Sequence, residues 1–134
     1  MRFYRIFSLG CAIVFAAVGL IFLLFSDAVL VFFNSLSART GLPPMLLQGD
    51  PFYIILAVAY MYLVSCIAYQ MYRLPENHYF PLLLAHGKLA SSLLSLGFFL
   101  LSRPFLIYLA NAVVDGALAG IALYFYAKIR QTRI

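Results

Sequence analysis

Two oppositely charged residues stand inside stretches that are otherwise hydrocarbon. Lys88 lies within Leu82-Leu83-Leu84-Ala85-His86-Gly87-Lys88-Leu89-Ala90, and Asp115 within Ala110-Asn111-Ala112-Val113-Val114-Asp115-Gly116-Ala117-Leu118. An ionised side chain at the centre of a bilayer costs about 2.5–3.5 kcal/mol even on the most lenient scale, so such residues face a protein interior and find partners there. Paired, the two could simply hold helices together. They could also form a proton or ion relay, or a seat for a polar headgroup. Ser91, Ser92 and Ser95 extend the Lys88 face at helical spacing, and Asn111 lies one turn from Asp115. His86, two positions before Lys88, is placed to bond across helices or to modulate the lysine. Against a relay stands the presence of a single embedded acid.

The spans that must carry these residues follow from hydropathy. Of 134 residues, 66% are hydrophobic and 10% charged, with a mean hydropathy of +1.02. A soluble domain is about 45–50% apolar and about 25% charged. The composition therefore predicts an all-α integral membrane protein, one domain over residues 1–134. A spanning helix needs about 20 mostly apolar residues, and four stretches qualify: 6–25, 52–71, 80–101 and 105–127. They predict a four-transmembrane-helix bundle. Ser102-Arg103-Pro104 is too short for anything but an antiparallel hairpin between the third and fourth spans, and Pro104 suits the first turn of the fourth. Lys88 and Asp115 stand about 15 and 12 residues from that turn. At ~1.5 Å per residue they differ in depth by only ~4–5 Å, within reach of a lysine stem.

Between the first two spans, residues 28–38 alternate apolar and polar positions at roughly helical spacing. They predict a short interfacial amphipathic helix capped by Ser26 or Asp27, or else a continuation of the first helix past a kink. Gly41 and the paired Pro43-Pro44 should end it, and Gln48-Gly49-Asp50-Pro51 should open the second span. The apolar run after Arg2 and Arg5 exceeds a signal-peptide core and lacks an Ala-x-Ala site, so it reads as a retained first helix. Arg2, Arg5, Arg73, Lys128, Arg130 and Arg133 fall on one side and only Arg39 and Arg103 on the other. By the positive-inside rule both termini lie in the cytoplasm, in a cytoplasmic (inner) membrane. Tyr4, Tyr72, Tyr79, Tyr124 and Tyr126 fall near that interface, Tyr53 near the opposite one.

Other residues point less far. Ala112, Gly116 and Gly120 form a small-residue line that fits packing against the third span or against another chain. On the second span, Tyr53, Tyr60, Tyr62 and Tyr69 read as phenols bonded to neighbouring helices, or as the border of a lipid or quinone cleft. Cys11 and Cys66 read as buried, inert thiols on opposite halves of the bilayer. His78 is in a loop beside Glu76, and neither HxxxH nor CxxC occurs. No metal and no cofactor is expected. The net charge of +5 is spread over helix ends, so no nucleic-acid partner is expected either.

Gly41-Leu42-Pro43 after the first span, with four spans of similar length, loosely resembles the DoxX-like group of small membrane proteins. That resemblance covers architecture and one tripeptide and implies no site residue. The small multidrug exporters need an acid in the first span, and the mercury-transport proteins need paired cysteines there; this chain has neither. The expected function is non-catalytic: an accessory or assembly subunit in the lipid bilayer, packed on a larger membrane-protein partner or as a homo-oligomer. A small homodimeric transporter or lipid-handling protein using Lys88 and Asp115 is the alternative, and a quinone- or haem-associated anchor a second.

Overall fold

The computed structural model describes residues 2–46 and 51–131. It consists of α1 (Arg2–Thr40), α2 (Pro51–Arg73), α3 (Tyr79–Leu101) and α4 (Leu106–Gln131), with no strand among the described residues. All four helices are long and apolar enough to cross a membrane. Each expected span falls within one of them, apart from Phe105 at the start of the fourth.

The first helix runs well past its expected apolar span. A straight helix of 39 residues would be ~58 Å long, well beyond a ~30 Å hydrocarbon core. The chain bends instead at Phe25, whose φ of −137° and ψ of 35° leave helical geometry, and then continues to Thr40. Residues 28–38 thus lie in a second helical arm beyond the bend, the continuation past a kink that the sequence allowed. That arm runs unbroken to Thr40 because neither glycine nor proline interrupts the chain from Ser26 onward. Gly41 supplies the stop as expected. Its φ of +71° is the left-handed conformation of a helix terminator, and Leu42 N–H closes a bond to Ser37 C=O at 3.2 Å. The following segment folds back on the arm it has just left. The Asn34 side chain donates to Met45 C=O and accepts from Met45 N–H, both at 2.8 Å. The expected Gln48-Gly49-Asp50 lead-in lies outside the described residues, while Pro51 opens α2, where its missing N–H costs nothing. Pro104 precedes α4 rather than entering its first turn, because an Arg103–Phe105 backbone turn intervenes (Phe105 N–H to Arg103 C=O, 2.8 Å).

The helices pair as two antiparallel hairpins, α1/α2 and α3/α4, which meet each other much less extensively. Packing is uneven along the bundle. The buried apolar cluster (Tyr4, Cys11, Ala12 and Phe15 of α1, Val64, Ala68 and Met71 of α2, Leu84 and Ala85 of α3, Ala122, Phe125 and Ile129 of α4) lies in the half that carries both chain ends. Alanines at four of these positions let the helix backbones approach closely. Phe125 anchors the junction, with Tyr4 edge-on at 4.9 Å and Phe7 at 5.3 Å between ring centroids. Tyr4, expected at the interface, is thus part of the core.

Ser65 Oγ donates to Ala12 C=O at 2.8 Å, which sets α1 and α2 in register. That bond also corrects the reading of the cysteines. Cys11 and Cys66 stand at one level, not on opposite halves; both thiols are free, Cys11 buried and Cys66 exposed. Gly19 sits against Met61, where an added Cβ would come within 3.1 Å of the Met61 Cβ, whereas Gly10 faces open space. Gly19→Ala should therefore cost about 1–2 kcal/mol by overpacking. Gly10→Ala should be neutral or slightly stabilising. Thermal unfolding of both variants in one detergent checks the contrast.

Candidate functional site

α3 and α4 bring the two embedded charges together. Lys88 Nζ donates to Asp115 Oδ1 at 2.8 Å, with the side chains 1% and 5% exposed. The ammonium is boxed from the other hairpin as well. It lies 4.4 Å from the centre of the Phe15 ring on α1 and 5.3 Å from that of Tyr60 on α2. A desolvated cation over an aromatic face gains ~2 kcal/mol or more. One carboxylate and two ring faces thus replace the water that Lys88 gives up. Nothing in the spacing of Phe15 or Tyr60 foretold this, because each is one aromatic among many on an apolar helix.

Toward the α3–α4 turn the pair continues as a polar strip. Asn111 Nδ2 donates to Ser91 Oγ at 3.0 Å and to Ser95 Oγ at 2.8 Å. Ser92 turns into the helix contact instead. Its hydroxyl donates to Ala112 C=O at 2.7 Å, in a niche where a Cβ on Gly116 would meet Ser92 Oγ at 3.0 Å. Lys88, Asp115, Asn111, Ser91, Ser92, Ser95, Ala112 and Gly116 therefore form one seam between α3 and α4.

Two of the expected residues stand apart from it. His86 is exposed on the far side of α3 and bonds to no other described residue, because two positions along a helix turn a side chain through ~200°. Gly120 is exposed with nothing near its Cα, so the small-residue line packs within the chain only at Ala112 and Gly116. Of the α2 tyrosines, Tyr53 and Tyr60 border a cleft, the second of the two expectations, while bonding to neighbouring helices is not their common role. Tyr53, Tyr62 and Tyr69 are exposed, and the buried Tyr60 hydroxyl, beside Gly87 and facing the Lys88 region, makes no hydrogen bond to a described residue.

Above the ion pair the two hairpins separate. The cleft between them has a volume of about 580 Å³. Lys88 and Asp115 belong to its deep end, and Ser91, Ser95 and Asn111 line its α3/α4 wall. Phe22, Ile54, Ala57 and Met61 supply an apolar wall from α1 and α2. Asp27 and Leu30, on the arm of α1 beyond the bend, line it as well, as does Met45 from the folded-back segment. A cavity of roughly 300–1,000 Å³ with an apolar lining and a few convergent polar groups is the usual form of a small-molecule site. No group of three or more metal-ligating side chains occurs among the described residues. Asp27 was expected only as a helix cap; the bend that turns it toward the cleft leaves no trace in residue spacing.

Removing one member of the buried pair strands the other. Lys88→Met and Asp115→Leu should each destabilise by about 3 kcal/mol or more, and the double variant should recover most of that loss. The charge swap, Lys88→Asp with Asp115→Lys, should recover less than the neutral pair, since it turns a carboxylate toward the ring faces of Phe15 and Tyr60. A double-mutant cycle by reversible unfolding in detergent measures both; purely additive losses would show that the pair does not interact.

The chain matches no protein-family model, no curated protein and no solved structure, so its function has to be argued from this seam and the cleft above it.

Proposed function

We propose that the chain is a non-catalytic membrane protein that binds a compact amphipathic molecule in the cleft between its two hairpins. The observation that carries this reading is the cleft itself: about 580 Å³, largely apolar along α1/α2 as far as Ser26 and Asp27, polar on the α3/α4 side, ending on a buried ion pair. A structural seam alone needs no such space beside it. The alternation of walls also narrows the occupant. A diacyl lipid entering tail first would press hydrocarbon onto Lys88 and Asp115, which is unfavourable. A molecule with a polar group at its leading end meets donors and acceptors there. Lipid-handling and quinone-like ligands both belong to this class where the polar group goes in first.

The orientation is part of the proposal. Arg2, Arg5, Arg73, Lys128 and Arg130 stand at the end that carries the termini, and Arg39 and Arg103 at the other. The positive-inside rule then puts both termini in the cytoplasm of a cytoplasmic membrane, with the cleft directed to the outer side. Transport across the bilayer would need the alanine-packed half to part, and that half is where the hairpins hold each other.

Native mass spectrometry of the protein released from lipid nanodiscs tests the reading. The wild-type chain should retain a small-molecule mass that Ala57→Phe, which fills the cleft, and Asn111→Leu, which removes its polar wall, both lose. Retention unchanged by either variant would contradict a cleft site. A stoichiometric protein partner in place of any small molecule would favour the accessory-subunit reading. For orientation, a fluorescent protein fused to the C-terminus should light up, while alkaline phosphatase at the same position should stay inactive.

A further inference from the structure

We infer that the molecule the cleft accepts is an organic cation, an amine or quaternary ammonium carried on an apolar body; this rests on the cleft reading above. The lining carries three charged groups: Asp27, Lys88 and Asp115. Lys88 and Asp115 neutralise each other across 2.8 Å. That leaves the carboxylate of Asp27, which is exposed and makes no ion pair or hydrogen bond with any described residue. Asp27 stands twelve residues beyond Phe15 on α1, roughly 18 Å further along the helix axis than the ring that covers Lys88. Among the described residues the lining is therefore one unit negative, with the surplus near the end away from the ion pair.

The floor of the cleft already shows how this fold accommodates an ammonium group away from water. Lys88 Nζ is held by one carboxylate and the faces of two rings, Phe15 and Tyr60. Away from the ion pair the same lining carries the carboxylate of Asp27 and the rings of Phe22, Tyr53 and Tyr108. Aromatic faces with a carboxylate nearby recognise alkylated ammonium groups, because the ring quadrupole attracts a weakly hydrated cation without requiring hydrogen bonds. An anion would meet Asp27 and the negative ring faces, and the one cation among the described lining residues, Lys88, is already satisfied. The cationic group of the ligand then sits by Asp27 and its apolar body lies against Ile54, Ala57 and Met61, so that any polar substituent at its leading end meets the strip formed by Ser95, Asn111 and Ser91.

Equilibrium dialysis of the full chain in mild detergent tests this with three probes of similar bulk. They are tetraphenylphosphonium, tetraphenylborate and neutral triphenylphosphine oxide. The expected result is saturable binding of the phosphonium that Ala57→Phe abolishes. Asp27→Asn should weaken it roughly tenfold and Asp27→Glu should restore it, while the borate is not retained. Because Asp27 is exposed, the Asn variant should elute and melt as the wild type does. If the borate or the neutral oxide binds as tightly as the phosphonium, is lost in Ala57→Phe and is indifferent to Asp27→Asn, the cation inference fails and the cleft reading stands. If no probe shows binding that Ala57→Phe removes, both fail.

Discussion

The Lys88–Asp115 pair is the constraint around which the rest of the molecule is arranged. Two ions placed in hydrocarbon are tolerable only together and only if their remaining valences are met. Asp115 supplies the charge, and Phe15 and Tyr60 cover the ammonium from the other hairpin. The pair therefore does more than join α3 to α4. It draws α1 and α2 toward the seam and fixes which of their faces turn inward. Breaking it would expose an uncompensated charge to both hairpins at once.

On one side of the pair the helices are packed through alanines and one aromatic anchor; on the other they part. Small residues set how closely backbones approach, and Ala12, Ala68, Ala85 and Ala122 all lie in the half that carries the termini. In the other half Phe22, Ile54, Met61 and Tyr108 face the space between the hairpins. The bend at Phe25 and the clasp of Asn34 on Met45 then shape the wall of that space. Fold and candidate site are in this sense one feature: the cleft is the part of the bundle that small residues do not close.

Much of this was legible in the residues themselves. A lysine and an aspartate in apolar runs on either side of a three-residue turn can hardly avoid each other, and the serines and Asn111 followed by helical spacing. What could not be read was the orientation of α1 and α2. A helix that is apolar all round has no preferred face, so periodicity is silent about which side meets the charges. Phe15, Tyr60 and Asp27 were hidden for that reason. His86 illustrates the opposite error: proximity in sequence suggested partnership with Lys88, but helical geometry sends it outward. For the second arm of α1 the residues allowed two readings, since amphipathic alternation fits an interfacial helix and a kinked continuation equally, and the bend at Phe25 has no glycine or proline to announce it.

The central claim is that the bundle is sealed at the terminal end and open beside the ion pair at the other. Single-cysteine accessibility tests it most directly, in a background with Cys11 and Cys66 replaced by alanine. A small membrane-impermeant thiol reagent, added to the side opposite the termini, should label Ser95→Cys and Ala57→Cys and leave Ala85→Cys and Ala119→Cys untouched. Equal labelling at both sets, or none at Ser95→Cys and Ala57→Cys, would contradict the account.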